Sequence, residues 1–193
     1  MKYILHLTVL SILLLLFDCL NSGSRQHLKN TNASNEISTS TPRNAQADYL
    51  KVGNELMHQE VIDRLKIGLK LDSVIVLLGI PTQRSEPEIW GADGLKHQTY
   101  DYSNQGIKLN LVQNPDSSFS VNMITISSPC KFKTSRGIGI DSDYKTVESA
   151  YVKYIDRKSI SETEIVAGSI YGGIVFKFEK QKVKTIFVGA AAE

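Results

Sequence analysis

Two short stretches constrain this chain more than any others. Ile107-Lys108-Leu109-Asn110-Leu111 and Ile174-Val175-Phe176-Lys177-Phe178 each carry an apolar residue at every second position. In a strand successive side chains point to opposite faces, so Ile107, Leu109 and Leu111 share one face, as do Ile174, Phe176 and Phe178. Such strands belong to an antiparallel sheet with one face packed on a core. The other face, carrying Lys108, Asn110, Val175 and Lys177, is left open to solvent or to a partner.

Each stretch sits in a similar setting. Before the first, Asp72 suits the N-cap of a short helix with Val74, Leu77 and Leu78 on one side, and Gly79 and Pro81 stop it. A polar loop holding Trp90 follows, then a strand near Gln98–Tyr102, a turn at Ser103–Gly106 and, after Leu111, a strand through Val121–Ile126. Before the second, Ser142 or Asp143 can cap a helix with Val147, Ala150 and Tyr151. A strand near Ile165–Ala167, a turn at Gly172-Gly173 and a last strand Val183–Val188 complete it. Ile67, Val74 and Leu78 recur as Ile140, Val147 and Tyr151 at a constant offset of 73 residues. Gly106-Ile107 recurs as Gly173-Ile174 at an offset of 67. The expected fold is therefore α+β: a tandem repeat of short helices followed by antiparallel strands, pooled into one layered sheet-and-helix domain. Pooling has a physical reason, since one small sheet with one helix buries too little apolar surface to be stable alone.

Ile67-Gly68-Leu69-Lys70-Leu71-Asp72-Ser73-Val74, the exit Leu77-Leu78-Gly79-Ile80-Pro81 and the strand Tyr100-Asp101-Tyr102 resemble the signature of the SmpA/OmlA (BamE-like) lipoprotein fold. The tandem arrangement is similar to the beta-lactamase inhibitor protein family. The resemblance spans roughly residues 61–193. In the second copy it departs from the pattern: Asp141 stands in the place of Gly68, and Tyr151-Val152-Lys153-Tyr154 replaces the Leu-Gly-x-Pro exit. The resemblance implies a non-catalytic, protein-binding role in the bacterial cell envelope, as scaffold or inhibitor, and no particular partner.

The N-terminus reads as an address. Lys2 precedes the apolar run Leu7–Phe17, of the length of an export signal and short of the ~20 residues a membrane span needs. Residues 1–19 form the expected signal peptide. Leu16-Phe17-Asp18-Cys19 resembles a lipoprotein signal with Cys19 as the lipidated residue. Asp18 departs from the small residue such signals carry, and ordinary cleavage nearby is the alternative. Residues 20–47 are polar and small, a tether reaching roughly 30 Å as a flexible coil. A leading helix from Asp48, carrying Leu50, Leu56 and Met57, opens the first repeat at 48–136, and 137–193 forms the second. The expected location is outside the cytoplasm, either free in the periplasm or held at a membrane through Cys19.

Chemistry is harder to find. With 22 basic and 20 acidic residues the chain is nearly neutral, unlike a nucleic-acid binder. The histidines are His6, His27, His58 and His97, with no His-Glu-x-x-His and no metal-ligand spacing. No Gly-x-Ser-x-Gly or phosphate loop occurs, and no cofactor is implied. His97, before a strand, reads as a surface residue. Cys130, the only cysteine besides Cys19, reads as a buried thiol, with a disulfide to Cys19 as the alternative. The expected function is binding of another envelope or secreted protein without catalysis. Trp90, Tyr100, Tyr102 and Tyr171 are the candidate contacts, because aromatic side chains dominate interface energetics. Trp90 serves either as a binding hot spot or as a plug at the edge of the core. The competing reading is a small exported enzyme using Cys130 or His97.

Overall fold

The computed structural model describes residues 42–157 and 160–192, with side chains from Asp48 onward. The signal segment, Cys19 and the tether as far as residue 41 lie outside the described residues. Among the described residues are three α-helices: α1 (Pro42–Gln59), α2 (Leu71–Leu78) and α3 (Tyr144–Tyr151). Eight strands accompany them. After α2 come β1 (Gln83–Arg84), β2 (Glu88–Ile89), β3 (Lys96–Tyr102), β4 (Ile107–Gln113) and β5 (Phe119–Ser127). After α3 come β6 (Glu164–Ser169), β7 (Gly172–Glu179) and β8 (Lys182–Gly189).

All eight strands form one open antiparallel sheet in the order β1-β3-β4-β5-β8-β7-β6, with β2 also paired to β3. The α+β class is therefore as expected. Two three-stranded meanders, β3-β4-β5 and β8-β7-β6, meet where β5 pairs with β8. The turns explain the register. Gly106, at φ 65°, closes β3 onto β4, and a Cβ there would stand 2.2 Å from the Ser127 carbonyl oxygen. Lys180 and Gln181 both adopt positive φ between β7 and β8, the backbone of a two-residue hairpin turn matched to strand twist.

Period two holds on the inner face. Ile107, Leu109, Leu111, Ile174, Phe176 and Phe178 are all buried in one cluster with Val74 and Leu78 of α2 and Val147 and Tyr151 of α3. Each such side chain contributes about 1.5–3 kcal/mol gross on burial. α1 joins the same cluster through Leu56 and Met57 and packs against β6 and β7. Gly53 permits that approach: a Cβ on it would lie 2.2 Å from the Gly172 carbonyl oxygen and 2.8 Å from the Ser169 nitrogen.

Several boundaries differ from the sequence reading. α1 begins at Pro42, so Asp48 lies inside the helix and residues 42–47 are helical rather than tether. Asp72 falls within the first turn of α2, whose cap position is Lys70. A carboxylate there still faces the positive end of the helix dipole. The β6–β7 turn is at Ile170-Tyr171, and Gly172-Gly173 already belong to β7. The loop around Trp90 contains the short strands β1 and β2. No helix among the described residues is long and apolar enough to cross a membrane.

Candidate functional site

The outer face of the sheet is not uniformly open. Register places Thr125 opposite Phe187, Phe187 opposite Val175 and Val175 opposite Val166, a row running across four strands. The neighbouring row is Ser127, Thr185, Lys177 and Glu164. Over these rows lies a concave groove of about 710 Å³ lined by Met123, Thr125, Val175, Thr185, Phe187 and Ala191, with Trp90 and Ile170 also in its wall. Gly189 makes room for the floor. A Cβ on it would stand 2.9 Å from Met123 Cγ and 3.1 Å from Phe187 Cζ. The charges lining the groove are Glu164 and Lys177, register partners of opposite sign, so its field is close to neutral.

One wall is built by a hairpin folding over the sheet. β2 pairs with β3 through Glu88 opposite His97 and Ile89 opposite Lys96. The turn between them is closed by the Trp90 N–H donating to the Leu95 carbonyl at 3.0 Å and the Gly94 N–H donating to the Trp90 carbonyl at 2.9 Å. The half-buried indole lies flat on the His97 ring, with centroids 3.9 Å apart and planes 9° apart. Trp90 Nε1 donates to Glu88 Oε1 at 3.1 Å. Beneath the indole, His97 Nδ1 is 2.8 Å from Asn110 Oδ1 and Nε2 is 2.9 Å from Asp93 Oδ2. Asn122, the extra residue where the β4–β5 register shifts beside Asn110, donates to the same Asn110 oxygen at 3.3 Å. Asp93 is held below the ordinary carboxylate range, first by the Leu95 N–H and then by His97.

The residues singled out from sequence separate sharply. Trp90 packs flat on His97 on one side and lines the groove on the other. Tyr171, 55 % exposed, sits at the β6–β7 turn beside Ile170. Tyr100 and Tyr102 are corrected: at 5 % and 1 % exposure they belong to the core, not to a contact surface. The reason is register, for Tyr100 faces Leu109 and Tyr102 faces Ile107 on the inner side. His97 is not a surface residue but 1 % exposed, and Asn110 and Val175 are buried on the face expected to be open. Lys108 and Lys177 remain exposed there.

Cys130 is a free, buried thiol, and burial pushes its pKa up. It lines a small cleft with Lys131, Lys133 and Asp141, apart from His97. No group of histidine, cysteine and acidic residues among the described residues could hold a metal ion. Met123 and Phe187 were missed by sequence reasoning. Phe187 had a signal: it stands between Ile186 and Val188, which point inward, so period two sends it outward. No family model, curated protein or solved structure matches the chain.

Proposed function

We propose that this is an exported, non-catalytic binding protein whose groove on the outer sheet face takes an apolar side chain of another envelope or secreted protein. The groove carries the reading. It is concave, lined by Trp90, Met123, Val175 and Phe187, and close to neutral in charge. Trp90, Met123 and Phe187 keep part of their apolar surface accessible there, and a partner's aromatic or aliphatic anchor would bury it. The buried positions of His97 and Cys130, in separate places, support binding over chemistry. The two-unit architecture is part of the same proposal. α3 begins and ends 73 residues after α2, and each helix precedes a three-stranded meander. A duplicated unit of this kind pools two small sheets into one face wide enough for a protein partner. Cys19 would tether the domain to a membrane if it is lipidated, and otherwise the domain is free in the periplasm.

Site-directed photocrosslinking in cells tests the groove. A crosslinker replacing Thr185 is expected to trap a discrete protein adduct that Trp90→Ala depletes. The same crosslinker replacing Val76, on the exposed side of α2, is expected to trap none that depends on Trp90. Adducts from Val76 alone would overturn the groove as the binding face. Fractionation of Cys19→Ala against the native chain tests the anchor, and equal solubility would remove it.

A further inference from the structure

We propose that His97 sets the groove: as an imidazolium it holds Trp90 in the wall, and loss of its proton slackens the wall and weakens binding. The inference rests on the groove being the binding face. A neutral imidazole has one N–H and can donate once, whereas the imidazolium donates twice. Both ring nitrogens of His97 face oxygen atoms, Asn110 Oδ1 at 2.8 Å and Asp93 Oδ2 at 2.9 Å. Asn110 Oδ1 also accepts from Asn122 Nδ2 at 3.3 Å. The flat indole above completes the cage, and a tryptophan face is the best aromatic partner for a cation.

The charged groups facing the ring are acidic. Asp93 approaches from the β2–β3 turn, and Glu88 stands opposite His97 on β2. From β4 and β5 the neighbours are Asn110, Val112 and Asn122, which do not titrate. Lys96 is next along β3 and exposed, and Lys108, further along the face, is engaged by Asp101. When the proton leaves, one of the two oxygens loses its donor under the indole and the cation–π attraction disappears. The indole is then held by its exposed bond to Glu88 and by stacking on a neutral ring. His97 is a positioning residue in this scheme, acting on the partner through Trp90.

The chain contains one tryptophan, so its fluorescence reports Trp90 alone. In the full chain, the ring-nitrogen NMR signals of His97 are expected to show two N–H groups on the acid side of its titration. Trp90 emission should shift to the red in step as the second proton leaves. The probe for the groove is the dye 1-anilinonaphthalene-8-sulfonate, read by energy transfer from Trp90. Its affinity should fall about fivefold across the same transition. His97→Gln should abolish the pH step, and His58→Gln, at an exposed position of α1, should leave it intact. A ring that stays singly protonated throughout, or an emission step that survives His97→Gln, would overturn the proposal. The ring signals are read on the native chain, so the test stands even where the variant fails to fold. A pH step in emission without one in dye affinity overturns the control of binding. Loss of the Trp90-dependent crosslink at every pH would instead overturn the groove reading.

Discussion

The two meanders share an inner face and differ on the outer one. β3-β4-β5 buries polar side chains there: His97 lies under Trp90 of the β2–β3 hairpin and bonds the buried Asn110, which half-buried Asn122 also reaches. β8-β7-β6 carries no hairpin of that kind and presents Val175, Phe187 and the Glu164–Lys177 pair to the groove. The same order of elements thus supplies a polar, lidded half and an apolar, open half. A core that has to be packed leaves little freedom on the inner side, whereas the outer side can differ between the halves at little cost to the fold.

The largest expected effect comes from the network that keeps the halves from acting separately. Glu60, just past α1, has a side chain with no exposure and accepts from Ser135 N and Oγ, from Arg136 at 2.8 Å and from the Tyr151 hydroxyl of α3 at 2.9 Å. Arg136 also lies over the Tyr151 and Tyr154 rings. Glu60→Ala leaves a guanidinium and a phenol without their acceptor and should cost about 3–5 kcal/mol in chemical denaturation. The transition should remain single. Two separate transitions in the variant would mean that the halves fold independently and that their comparison is one of two domains.

Gly53→Ala comes next, and its sign is diagnostic. In an exposed helix the change stabilises by up to about 1 kcal/mol. Against the Gly172 carbonyl oxygen and the Ser169 nitrogen, both backbone atoms, overpacking should destabilise by about 1–3 kcal/mol. A more stable variant would show that α1 does not brace the β6–β7 half.

How much of this was readable beforehand follows from range. The inner face, the Gly106 turn and the spacing of α2 and α3 are local patterns, and they were legible. Tyr100 and Tyr102 were misplaced although the signal existed: the hairpin closed by Gly106 fixes their register against Leu109 and Ile107. Glu60 left no local trace, for its partners lie 75 to 91 residues away. The burial of His97 depends on Trp90 folding back over the sheet, and no periodicity encodes a loop that covers a face. The early start of α1 was masked by its mostly polar sequence, and its helix is held by packing at Leu56 and Met57.

A third test uses alkali. Burial raises both Tyr102 and Tyr151, and Tyr102 moves from 10.0 to about 12. A folded-state pKa above the unfolded one favours the protonated form in the fold. Stability from Tyr102 is therefore complete below pH 10.0 and is lost as pH rises towards about 12. The phenolate absorbance of Tyr102 and Tyr151 should appear only as the fold opens. Tyr102→Phe should flatten the alkaline loss without removing it, since Tyr151 remains. An unchanged alkaline profile would mean that the second half alone governs opening.

The smallest effect is expected at two surface ion pairs, Lys108–Asp101 in the first half and Lys184–Asp141 in the second, where Lys182 and Asp143 also pair. Lys108 and Asp101 face each other across β4 and β3, with Nζ 3.4 Å from Oδ2 and exposures of 58 % and 24 %. Lys184 of β8 reaches Asp141 at 3.4 Å, with exposures of 46 % and 72 %. Water screens both pairs, and each long side chain gives up rotamer freedom to hold its partner. Lys108→Ala should cost about 0.2–1 kcal/mol and Lys184→Ala less, with both differences shrinking in high salt. Asp101 is the least exposed of the four groups and also accepts from Ser103 Oγ, which is why the first pair should be the stronger. A Lys108 effect that exceeds this range and survives high salt would come from its alkyl stem packing on the sheet rather than from its charge. The outer face of the first meander would then be covered beyond the reach of Trp90, and the contrast with the open half would be sharper than the hairpin alone makes it.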